Sequence, residues 1–88
     1  MRVTDIDLKN DILNICIAHI DGVKKVVLYD QDYKFNLEDG KISKDVIDRI
    51  SFLRETFETF NIGDCRVHIS SKYKNLITKE DVLHLIGK

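Results

Sequence analysis

Cys16 and His19, and again Cys65 and His68, repeat one spacing of a thiol and an imidazole. Together they make the donor set of a Cys2His2 zinc centre, whose four ligands must converge tetrahedrally at about 2.0–2.3 Å. On a helix such a pair can share a face; on a strand its members point to opposite sides. The chain around Cys16 reads as a helix and that around Cys65 as a strand. The four groups therefore do not converge, and no metal is expected. Each cysteine is then a buried thiol, and each histidine a surface or interface imidazole. Cys–His nucleophilic catalysis needs a base in reach and an oxyanion hole. No glycine-rich nucleophile turn surrounds either thiol.

The acidic centre of VVLYDQDYKFNL poses a second question. An EF-hand starting at Asp30 needs an oxygen ligand at its fifth position, glycine at its sixth and glutamate at its twelfth. Here Lys34, Phe35 and Lys41 stand there, so calcium is excluded. Asp30-Gln31-Asp32 then reads as a hairpin turn, because Asp tolerates positive φ and bonds its own backbone. Glu55 and Glu58 read as a solvated helix face. The glycines are isolated at 22, 40, 63 and 87, so no phosphate loop is present. On these grounds neither a catalytic residue nor a cofactor is expected.

Eighty-eight residues read as one domain, 1–88. The 43% hydrophobic and 33% charged content is ordinary for a soluble globular chain. A net charge of -1 with scattered Lys and Arg argues against binding nucleic acid. No apolar run is long enough to span a membrane. Two cysteines and no signal-like leader point to the cytoplasm.

Residues 5 to 20 read as a helix. Asp5 or Thr4 caps it, Asp7 favours its dipole, and Leu8, Ile12, Ile15 and His19 follow helical spacing. Gly22 closes it. Val23 to Tyr29 reads as a strand covered on both faces, and Tyr33, Phe35 and Leu37 as a one-sided strand after the turn. Ser43 caps a helix over 44–60 with a core stripe of Val46, Ile50, Leu53, Phe57 and Phe60. Phe52 points away from that stripe, as a contact residue or one lying flat on its neighbours. Asn61-Ile62-Gly63-Asp64 ends the helix. Cys65–Ser70 alternates as another strand, with Cys65, Val67 and Ile69 inward. Tyr73–Asn75 reads as a turn and 76–78 as a short strand. The end has two readings: a helix with a Thr78–Asp81 capping box, or a central strand over Val82–Ile86, which is preferred. His84 reads as a core or boundary residue. The covered and one-sided patterns give a five-stranded sheet ordered 2-1-5-4-3 under two helices.

Asp21-Gly22-Val23, Asp30, Ile42-Ser43, Ile50-Ser51-x-Leu53 and the closing run RVHISSKYKNLITKEDVLHLIGK carry a resemblance. In this element order the chain resembles the roadblock/dynein-light-chain domains, including small Ragulator subunits. The resemblance implies an α/β (α+β) chain: a roadblock/longin/profilin-like α/β/α sandwich. Its five-stranded, mostly antiparallel sheet has the order α-β-β-α-β-β-β. It further implies a dimer, homomeric or with a paralogous roadblock-like chain. The seam would use Arg49, Phe52 and Thr56 with Cys65, Arg66, Val67, His68, Ile69 and Ser70. It implies a non-enzymatic scaffold or regulatory module that binds a small Ras-like GTPase or a larger complex. The alternatives are a small-ligand sensor or enzyme accessory on a similar sandwich, and an interaction protein of toxin–antitoxin or phage type.

Overall fold

The computed structural model describes residues 1–60 and 62–87, without the side chain of Phe60. Its sheet begins where the sequence reads as a helix. Strands β1 (Arg2–Lys9) and β2 (Ile12–Asp21) form an antiparallel hairpin, with Lys9 paired to Ile12. The two residues between them, Asn10 and Asp11, have φ of 54° and 58°. That is the pattern of a type I′ turn, which Asn and Asp tolerate better than other non-glycine residues. Strand β3 (Lys24–Lys34) follows after a turn in which Gly22, at φ 61°, takes the left-handed conformation. Helix α1 (Lys44–Phe60), strand β4 (Asp64–Ile69), a 3-10 turn (Ser71–Tyr73) and helix α2 (Lys79–Leu85) complete the order.

The described residues are thus α+β, with a four-stranded mixed sheet ordered β3-β2-β1-β4 and two helices. β4 lies parallel to β1, and the other pairings are antiparallel. Among the described residues, five strands in the order 2-1-5-4-3 are not found.

Alternation sorts the side chains into two faces. Ile6 and Leu8 of β1, Leu13, Ile15 and Ile17 of β2 and Val67 of β4 form the core with Val46, Ile50, Leu53 and Phe57 of α1. The α1 stripe is the one expected from spacing, except that Phe60 lies outside the described side chains. Ser43 Oγ accepts from the Val46 N–H at 3.4 Å, as its capping role requires. Thr78 and Asp81 form a reciprocal capping box, so the closing segment is a helix and not the preferred strand. Gly87, at φ 80°, donates to the His84 carbonyl beyond the last turn. Arg54 of α1 donates to the carbonyls of His84 and Leu85, which ties the two helices together.

Other corrections follow from the same geometry. Val23–Tyr29 is exposed along its length rather than covered on both faces. Asp30-Gln31-Asp32 lies within β3 and turns nothing. Residues 76–78 form no strand, and His84 is exposed.

Thr4 is fully buried on the core face, and its hydroxyl has no hydrogen-bond partner. A hydroxyl held away from water without a partner is destabilising. Thr4→Val keeps the shape and removes the polar atom. The variant is expected to gain about 1–2 kcal/mol in urea unfolding. A loss of stability would mean that the hydroxyl is satisfied in solution.

Candidate functional site: the polar face of the sheet

The face away from the helices is polar, and pairing registers its side chains in rows. One row runs Asp32, Asn14, Asp7, His68 across β3, β2, β1 and β4. The next runs Asp30, Cys16, Asp5, Arg66. Asn14 Nδ2 donates to Asp30 at 2.8 Å and to Asp32 at 2.7 Å, so both β3 carboxylates are held. The β3 side of this face is therefore acidic. The β4 side carries His68 and Arg66, the latter 3.7 Å from Asp64.

The carboxyl ends of the parallel β1/β4 pair meet the β1–β2 turn and the 3-10 turn. In open α/β sheets, ligands bind outside these ends, where neighbouring connections diverge. Here Tyr73 fastens the two turns. The Asp11 N–H donates to the Tyr73 hydroxyl, which in turn donates to the Asp11 carboxylate, both at 2.6 Å. Lys72 Nζ reaches the same carboxylate at 2.8 Å. The hydrogen bond from Lys72, then that from Tyr73, holds the Asp11 carboxyl below its ordinary value. Burial pushes the Tyr73 hydroxyl up.

Cys16 is half-buried on the polar face. Desolvation, with Asp30 nearby, raises its pKa, which disfavours the reactive thiolate. Cys65 lies on the other face, packed against the core. Cys16 and His68 thus share one face, while Cys65 and His19 belong to the other. The Cys16 segment is a strand, so the spacing argument that separates Cys65 from His68 separates Cys16 from His19 too. Among the described residues no three His, Cys, Asp or Glu side chains could hold a metal ion together.

The residues expected at a dimer seam fall in two places. Arg49, Phe52 and Thr56 line a groove of about 670 Å³ between α1 and the β2–β3 part of the sheet. Arg49 lies over the Tyr33 ring at 4.1 Å. Cys65–Ile69 lie on β4, at the opposite edge from β3, with Ser70 just beyond it. Asp5, Asp7, Asn14 and Asp11 were not recognised as site residues, because the helical reading made the first two a cap and a dipole partner. The signal for them was the alternation Thr4, Ile6, Leu8 against Asp5, Asp7.

No protein-family model and no curated protein matches the chain. Solved structures do. It is similar to the Aquifex aeolicus Ppx/GppA phosphatase, with a TM-score of 0.70 at 17% identity over 98% of this chain. The Cytophaga hutchinsonii exopolyphosphatase gives 0.63 at 16% over 98%, and Thermus thermophilus RuvC gives 0.60 at 19% over 98%. The chain spans 32%, 30% and 55% of those proteins. The likeness is one of fold. It overturns the resemblance to roadblock and dynein-light-chain domains, whose strand order the sheet also lacks. The expected non-enzymatic GTPase-binding scaffold goes with it, because the proteins sharing this fold include enzymes of phosphate chemistry. No helix among the described residues is long and apolar enough to cross a membrane.

Proposed function

We propose that the chain forms one wall of a phosphoanhydride hydrolase of the exopolyphosphatase kind. Its site is the polar face at the carboxyl ends of β1 and β4. The observation that carries this reading is the placement of Asp7 beside His68 in the parallel register, next to the turn that Tyr73 fastens. The likeness in fold to a phosphatase and an exopolyphosphatase supports it. Arg66 draws a phosphate anion toward β4, against the repulsion of Asp5 and Asp7 beside it and of Asp30 and Asp32 across the face. Asp7 then flanks it as a carboxylate able to accept a proton from an attacking water. The water oxygen bonds to phosphorus, the bridging P–O bond breaks, and the departing oxygen takes a proton from solvent.

Titration of the isotope-labelled chain with sodium tripolyphosphate, followed by amide NMR shifts, tests the site. Shifts are expected at Asp7, Lys9–Asp11, Arg66, His68 and Lys72. Arg66→Ala with His68→Ala is expected to weaken binding roughly tenfold, the scale of a lost charged contact. Shifts confined to the α1 groove, or none at millimolar ligand, would sink this reading.

A further inference from the structure

Strand β3 forms one margin of the sheet, and its outer side has no neighbour among the described residues. It is long and carries an apolar run at its middle. Val26, Val27 and Leu28 are 55%, 52% and 53% exposed, and Phe52 of the adjoining groove is 73% exposed. An open strand of this kind is a template for another strand. We infer that its occupant is a second copy of this chain, with the two β3 strands antiparallel about a two-fold axis between Leu28 and Tyr29.

The charge order of the strand favours that occupant. Lys24 and Lys25 open β3, while Asp30 and Asp32 stand in its second half. Antiparallel self-pairing sets the first half of one copy against the second half of the other. With the axis between Leu28 and Tyr29, Lys25 lies opposite Asp32, Val27 opposite Asp30, Val26 opposite Gln31, and Lys24 opposite Tyr33. Opposed residues must also share a face. The register shift at Ile17/Ala18 makes this possible. It puts Lys25 and Val27 on the polar face together with Asp30 and Asp32. Without it, Lys25 and Asp32 would sit on opposite faces.

Competing registers are worse. A slip of one residue mismatches the faces. Moving Lys25 two residues further along the other copy sets it against Lys34. Moving it two residues the other way sets it against Asp30 but carries Asp32 past the start of β3, opposite Val23, and shortens the paired span to residues 24–31. The favoured register uses nearly the whole strand and meets cation with carboxylate twice, once on each side of the axis. Leu28 and Tyr29 of both copies meet at its centre. Both residues also line the groove with Phe52, so the apolar band there is covered in the same step.

Analytical ultracentrifugation over a concentration series tests the pairing. The mass is expected to approach twice 10.2 kDa. Lys25→Glu alone, or Asp32→Lys alone, is expected to raise the dissociation constant roughly tenfold, because like charges then face each other twice. Lys25→Glu combined with Asp32→Lys should return it to within about threefold of the original, since the reversal is symmetric. Leu28→Glu changes an exposed side chain, so it should leave the circular dichroism spectrum unchanged and abolish the dimer. A monomer at millimolar concentration overturns the inference and makes the lysines guards of a free edge. A dimer indifferent to the single reversals, or a double variant that fails to recover, overturns it as well.

Discussion

Tyr73→Ala should lower the unfolding free energy by about 3–5 kcal/mol, the usual cost of deleting a large buried aromatic side chain. The ring is fully buried in the main core and lies 5.6 Å from Phe35, centroid to centroid. It also does something a purely apolar residue could not. Its hydroxyl is shared between the Asp11 N–H and the Asp11 carboxylate, so one side chain both fills the core and pins the β1–β2 turn. The Phe35 N–H donates to the Asp11 carbonyl at 2.9 Å, which brings a third segment to the same point. Tyr73→Phe separates the two roles. It keeps the ring and deletes the shared hydroxyl, for an expected loss of about 1 kcal/mol. Guanidinium unfolding of both variants is the measurement. A change below about 1 kcal/mol for alanine would mean that the ring does not occupy the core.

Ile6→Ala should cost about 2–5 kcal/mol. Ile6 sits on the central strand with Ile15 on one side and Val67 on the other. It has no exposed surface, and helix α1 covers it through the same cluster. No neighbouring strand can move in without breaking its own ladder, so the cavity stays open and the cost lies toward the upper end. A domain of this length has a total stability of about 4–13 kcal/mol, so the loss is a large fraction of the whole. Asp5→Asn, one residue away but on the polar face, is the control. It should change stability by less than about 0.5 kcal/mol. Equal losses for the two variants would mean that the faces of β1 are misassigned.

Helix α1 was legible because its apolar residues match one period only. Val46, Ile50, Leu53 and Phe57 fit a helical stripe, and Ser43 offers a cap where the stripe begins. Strand β4 was legible for the matching reason, strict alternation. The first twenty residues match both periods. Leu8, Ile12 and Ile15 fit a helix, while Ile6, Leu8, Leu13, Ile15 and Ile17 fit two strands. What decides between them is Asn10-Asp11, a pair able to take positive φ twice in succession. Once that turn is recognised, Asp5 and Asp7 leave the helix cap and move to a sheet face, and the candidate site comes into view. Asp30 and Asp32 mislead in the opposite sense. They read as turn residues, but Asn14 of the neighbouring strand holds them in an extended one. That partner is distant in sequence, and no local pattern announces it. The closing helix carries its capping box in plain view at Thr78 and Asp81, yet its apolar run is too short for periodicity to choose.

The parallel pairing of β4 with β1 has a consequence for the order in which the chain assembles. β1, β2 and β3 are joined by two-residue turns and can zip from those turns by local steps. Joining Val3 to Asp64 and Leu8 to Ile69 requires closing a loop that contains β2, β3 and all of α1. Such closure sacrifices chain entropy before any contact rewards it, and this slows folding. The meander is therefore expected to form the early nucleus, with β4 docking late and α2 with it. Substitutions in the β1–β2 turn should slow refolding. Those in β4 should mainly quicken unfolding, because their contacts are absent from the transition state.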